Sequence, residues 1–174
     1  MDAFVLKVHA VLSATPHRWL VLAATLPEDL LALPPAPREW SVLDCLQHLI
    51  DTERWVFPVR IRSFLAGQDL KDFDPDAQEH DGSVRQPVQL AAEFAQLRQQ
   101  NLCLLATVES TDLQRTVTHS ALGRVSLGDM LNEWVAHDLN HTLQAERSLM
   151  QPFIAGCGAW RETFRDHDVA AGRD

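Results

Sequence analysis

Three histidines carry the most chemical information in this sequence: His48, and the pair His137 and His141. The pair lies in Trp134-Val135-Ala136-His137-Asp138-Leu139-Asn140-His141. On a helix, a four-residue spacing puts both imidazoles on one face, with Cβ atoms about 5–6 Å apart. Imidazoles so placed can converge on one metal ion at about 2.0–2.1 Å per bond. An isolated HxxxH is equally compatible with surface or core histidines that do no chemistry. His48 sharpens the reading, because it stands between Leu46 and Leu49 on an apolar helical face, where an imidazole needs a polar purpose. If its helix crosses the later one at that turn, three nitrogens surround one point and leave room for water or substrate. The spacing is also that of the zinc-protease HExxH, but Asp138 replaces the glutamate, and its shorter carboxylate reaches a metal-bound water less readily.

Around these three stand residues with two readings each. Asp44 and Asp51 are four before and three after His48, so either can accept its second ring proton or contact a bound water. The plainer roles are helix capping for Asp44 and a surface ion pair for Asp51. Glu133, one turn before His137, and Asn140 are similarly open. His119, in a turn-rich segment ahead of the last long helix, can rim the pocket and transfer protons. His80 lies on a long loop and can close over a site, whereas His9, His17 and His167 read as ordinary. Asp51 and His119 are therefore the candidate catalytic residues, and His48, His137 and His141 the candidate metal ligands. Trp19, Trp40, Trp55, Trp134 and Trp160 read as core and junction residues, with Trp40 in the staple position ahead of a helix start. Cys45 and Cys103 fall on apolar faces as expected buried thiols, and Cys157 between two glycines as an exposed one.

The elements that must position these residues are helical. Apolar periodicity predicts a helix over about residues 3–25, with a kink or restart at Pro16. Ser41 with Asp44 predicts a capped start for a helix reaching Gly67, bent at Pro58. Residues 68–86 read as a long polar loop, a lid or binding segment if it is ordered. A third helix follows Pro87 to about Glu109, Thr116–His119 is short extended structure, and Ser126 with Asp129 starts a fourth helix ending near Phe153. Helices of this number and pattern pack most simply as a four-helix bundle over residues 1–155, with a tail over 156–174 docked in part through Trp160 and Phe164.

Composition limits what such a bundle can do. The chain has 174 residues, 46% apolar and 22% charged, with a formal charge of −9, which suits one globular domain and repels phosphate backbones and acidic headgroups. Nucleic acid and membrane are thus not expected partners; a small-molecule substrate is. No secretory signal or 18-residue apolar run is evident, so the expected location is cytoplasmic. The three widely spaced cysteines without a CxxC argue against a disulfide framework or an all-cysteine zinc site.

Two segments, taken in order, resemble the signatures of the DinB-like (DinB/YfiT) metalloenzyme superfamily. One is Glu39-Trp40-Ser41-Val42-Leu43-Asp44-Cys45-Leu46-Gln47-His48-Leu49-Ile50-Asp51-Thr52-Glu53. The other is the start Gly123-Arg124-Val125-Ser126-Leu127-Gly128-Asp129, followed by His137-Asp138-Leu139-Asn140-His141-Thr142-Leu143-Gln144. The resemblance spans roughly residues 10–153. It implies an all-α, up-down-down-up four-helix bundle with a long crossover between helices two and three. It also implies one divalent ion, zinc or nickel, on His48, His137 and His141, with water at the open positions, and a homodimer. Relatives include S-transferases that use bacillithiol or mycothiol. By that likeness the metal would lower the pKa of a low-molecular-weight thiol cosubstrate, Asp51 or bound water would take the proton, and His119 would assist at the rim. A metal-dependent hydrolase is the alternative reading, and a non-catalytic, stress-related metal-binding protein is the third.

Overall fold

The computed structural model describes residues 2–71 and 85–169. Its order is α1 (Ala3–Thr25), a short α2 (Glu28–Ala32), α3 (Val42–Trp55), α4 (Phe57–Ala66), α5 (Pro87–Leu105), a hairpin of β1 (Thr116–His119) and β2 (Gly123–Ser126), and the 30-residue α6 (Leu127–Gly156). A 3-10 segment, Gly158–His167, follows. The expected loop over 68–86 lies largely outside the described residues, and His80 lies wholly outside them.

Local chemistry accounts for the helix starts. Ser41 accepts from the Asp44 amide at 3.2 Å while Asp44 Oδ2 accepts from the Ser41 amide at 2.8 Å. Ser126 and Asp129 repeat the exchange at 3.1 and 3.0 Å. Each box satisfies amides that a helix start would otherwise leave open. The expected bend falls at Val56 (φ −110°, ψ −73°), just ahead of Pro58, and divides one helical limb into α3 and α4. At Pro16 the expectation was different: α1 runs through the proline without restarting. Proline cannot donate to Leu12 O, one turn back, and Arg98 Nη1 donates to that carbonyl instead, at 2.7 Å.

Limb directions follow from paired residues. Along α3 and α5 the contacts advance together, Gln47 meeting Arg85 just ahead of α5 and Glu53 meeting Asn101 further along both, so these limbs are parallel. Between α3 and α6 the order reverses, His48 meeting His137 and Glu53 meeting Trp134. It also reverses between α1 and α5, where Leu12 meets Arg98 and Trp19 meets Phe94. The bundle is therefore up-down-down-up, and the parallel α3/α4 and α5 limbs require a crossover along the bundle rather than a tight turn.

Two apolar clusters form the core. One gathers Val5, Leu12, Phe57, Ile61, Phe64, Leu105, Leu131 and Trp134; the other gathers Trp19, Leu22, Cys45, Leu49, Ile50, Leu90, Phe94 and Leu149. A polar layer separates them. Arg98, 1% exposed, donates to Asp138 Oδ1 at 2.5 Å, lies 3.0 Å from Glu53 Oε1, and reaches Leu12 O and Thr15 Oγ1 on α1. Trp134 Nε1 and Asn101 Nδ2 also donate to the Glu53 carboxylate, at 2.8 and 2.9 Å. Every limb thus contributes to one buried network around two carboxylates and one guanidinium. Low dielectric strengthens such a network when satisfied and penalises any member left alone.

Three expectations are corrected. Residues 123–126 form a strand, paired Thr116↔Ser126 through His119↔Gly123, where the sequence suggested only turns and a helix approach. Cys103 is exposed rather than buried, because it falls one position beyond the core stripe that Leu102 occupies. The tail packs through Phe164 and through bonds from Arg147 and Gln151 to His167 O, while Trp160 is 75% exposed.

Candidate metal centre

The antiparallel crossing of α3 and α6 joins the three histidines. His48 Nε2 and His137 Nε2 are 3.0 Å apart, and one ring nitrogen from each of His48, His137 and His141 falls within 4.8 Å of the others. Nitrogens about 2.1 Å from a common ion at a right angle would stand roughly 3 Å apart. His141 Nδ1 lies 2.9 Å from Gln144 Oε1, one turn on. Since the amide oxygen can only accept, Nδ1 carries the proton and Nε2 keeps its lone pair for the cluster.

Burial pushes the His48 imidazole down to about 4 and the His137 imidazole to about 3, and the neighbouring His141 adds to both. Burial lowers His141 as well, against its bond to Gln144 and the nearby Asp138. All three rings are therefore neutral near pH 7, the form that ligates a metal. His137 Nδ1 is buried without a hydrogen-bond partner among the described residues. Its Nε2 and that of His48 face each other, so one proton at most fits between two lone pairs. The donor set and this opposed geometry fit a divalent cation. Cys45, three residues before His48, is a poor further ligand on chemical grounds: burial, then Asp44, pushes its thiol up to about 12.

Aromatic rings wall the cluster. Trp40 stacks on His141 at 5.4 Å and lies 4.9 Å from the His48 ring, and Phe57 meets His137 edge-on at 5.5 Å. Trp40 is thus a wall of the site and not only a helix-entry residue; its place directly ahead of the Ser41 cap was the available signal. Behind the cluster lies the polar layer, with Asp138 between the two α6 histidines.

The open side leads into a cavity of about 310 Å³ lined by His48, His137, Thr52, Arg60, His119 and Glu133, among others. His119 arrives from β1, which Leu70 steadies: Leu70 N donates to Thr118 O at 2.8 Å and Ser120 N to Leu70 O at 3.0 Å. The Ala121 amide donates to His119 Nδ1 at 3.2 Å, so the neutral ring carries its proton on Nε2. Glu133 is 48% exposed along its side chain, yet the crowding around it raises its carboxyl above the usual range, with Arg60 acting in the opposite sense. Asp51 is buried and accepts from Gln47 Nε2 at 3.0 Å, on the same helix as His48. Asp44 is committed to the cap, and Asn140 is exposed. Arg60 was not singled out from the sequence, because its convergence on the cavity depends on the α3–α4 bend.

The sequence profile of the DinB superfamily matches residues 12–145. Among curated proteins, none matches significantly. Among solved structures the chain is similar to YfiT from Bacillus subtilis, described as "a probable metal-dependent hydrolase with an unusual four-helix bundle topology". The two share 19% identity at a TM-score of 0.74, over 88% of this chain and 90% of that one.

Proposed function

We propose, since this chain belongs to the DinB superfamily, that its histidine pocket is the divalent-metal centre of a hydrolase acting on a small molecule. The observation that carries the reading is the pairing of a three-imidazole cluster with a cavity that also presents a carboxylate, Glu133, and an imidazole N–H, His119. His48, His137 and His141 would hold the ion, zinc or nickel. When bound, it polarises a carbonyl or phosphoryl oxygen and acidifies water. Glu133 takes one proton as the water oxygen bonds to the electrophilic carbon or phosphorus. Protonated Glu133 then gives that proton to the leaving group as its bond breaks, and the His119 Nε2–H group donates a hydrogen bond to the oxygen on which charge develops. Asp51 supports the α3 side of the site through Gln47 rather than reacting.

Hydrolysis replaces thiol transfer as the first reading. A carboxylate placed to activate water and a hydrogen-bond-donating imidazole beside the cluster support it, as does the description carried by YfiT. A bacillithiol-type cosubstrate is the competing use of the same ion, with Asp51 as its proton acceptor. The test is metal content of protein purified without added metal, followed by an ester, amide and phosphoester screen with and without bacillithiol. The expected result is one bound ion per chain, lost in the His48→Ala/His137→Ala/His141→Ala protein, and thiol-independent turnover abolished by chelator and restored by metal. Turnover only with thiol would replace hydrolysis by transfer. Absence of metal uptake would leave a non-catalytic interaction role.

A further inference from the structure

Arg60, on the first turns of α4, separates two hollows. It lines the histidine cavity and an adjoining groove of about 280 Å³ that also includes Ser63, Lys71 and Asp69. Asp69 is engaged elsewhere, its Oδ1 accepting from the Thr118 amide at 2.8 Å. Only 18% of the Arg60 side chain is exposed, yet its one polar contact among the described residues is a 3.5 Å approach of Nη1 to Glu133 Oε2. A committed guanidinium–carboxylate pair is bidentate, at about 2.7–2.9 Å. Among the described residues a largely covered cation with five N–H donors thus uses one long contact, which leaves it donors for an anion.

We propose that Arg60 anchors a carboxylate or phosphate group of the molecule that enters the histidine cavity, so that the substrate class is a small anionic ester, amide or phosphoester. This rests on the hydrolase reading for the reaction, but not for the anion site itself. A cavity of about 310 Å³ lies at the small end of ligand sites, which limits the spacer between the anionic group and the scissile bond to a few atoms. The formal charge of −9 means that the protein as a whole does not attract anions. Recognition therefore comes from contact with Arg60, and Lys71 lines the same groove.

The experiment is calorimetric titration of inorganic phosphate and, separately, acetate into protein stripped of metal by chelator, and then into zinc-loaded protein. The proteins are wild type, Arg60→Gln, Arg60→Lys and the surface control Arg124→Gln. In metal-free protein, Arg60→Gln should weaken anion binding roughly tenfold or more while Arg124→Gln leaves it unchanged. The anion with the larger Arg60 effect identifies whether the natural group is a phosphate or a carboxylate. In the wild type, the Arg60 side-chain N–H resonance, assigned by its loss in Arg60→Lys, should shift on phosphate addition, a readout that does not depend on Arg60→Gln folding. No shift, or equal weakening in Arg124→Gln, overturns the proposal. Arg60-dependent anion binding in a protein that takes up no metal would refute the hydrolase reading and leave this one standing; zinc uptake without it would do the reverse.

Discussion

Arg98→Met tests whether the buried polar layer, rather than the apolar clusters alone, holds the four limbs together. Methionine matches much of the stem but removes the charge that faces Glu53 and Asp138, which are 1% and 0% exposed along their side chains. Two carboxylates would then share a buried space, and Leu12 O, already without its helical donor because of Pro16, would lose its bond at 2.7 Å. Breaking a buried ion pair from one side costs about 3–5 kcal/mol. With a urea slope of roughly 2 kcal/mol/M, the unfolding midpoint should fall by about 1.5–2.5 M. Equilibrium urea denaturation followed by circular dichroism measures this. The triple replacement Arg98→Met/Glu53→Gln/Asp138→Asn should recover part of the loss, since it leaves no unpaired charge. A midpoint within about 0.3 M of wild type for Arg98→Met would mean that the layer is not a sealed ionic network, and the reasoning would fail.

Three further outcomes follow from the geometry. For metal-free protein, His48 and His137 titrate in the fold near 4 and 3 but near 6.5 when unfolded, so between those values the unfolded chain binds more protons. Stability should therefore fall as pH drops below about 6.5 and level off near the folded values, and His48→Gln should flatten that slope in thermal melts; an unchanged slope would refute it. Gln144→Leu removes the acceptor that fixes the His141 tautomer and should weaken zinc affinity about 10–100-fold in a chelator competition, whereas an unaltered affinity would show that Gln144 does not orient the ring. A thiol reagent should modify exposed Cys103 in native protein and reach Cys45 only on unfolding, because burial both covers the Cys45 sulfur and holds it protonated; mass mapping of early native Cys45 labelling would contradict this.

Much of the site was readable as sequence because its parts are local patterns. The His137–His141 spacing, the two Ser–Asp capping boxes and the bend beside Pro58 each depend on residues within two turns of one another. What escaped depends on the crossing of distant helices. Arg98 sits in Gln96-Leu97-Arg98-Gln99-Gln100, a run that reads as a solvated face, yet it falls on the stripe of Leu90, Phe94, Asn101 and Leu105. Glu53 and Asp138 fall on the core stripes of α3 and α6 in the same way. Three charges on three core stripes, of both signs, were a signal that the chain compensates them internally. The extended run Thr116–His119 was legible but its partner strand was not, because a four-residue strand carries too little alternation to stand out, and the meeting of Arg60, Glu133 and His119 in one cavity leaves no trace in spacing.

Leucine-rich helix faces resist sliding weakly, since a shift by one turn, about 5.4 Å, exchanges one apolar contact for another. The layer through Glu53, Arg98 and Asp138 removes that freedom, because a slip of any limb strands a charge in hydrocarbon. It works as a tooth between otherwise smooth rods, and the histidines inherit its indexing: His48 is five residues from Glu53 on α3, and His137 and His141 flank Asp138 on α6. The alignment of the histidine cluster is thus set from behind, by groups that do not line the cavity. Arg60, Glu133 and His119 line the cavity without joining that layer, so the tooth keeps the three histidines in register independently of them.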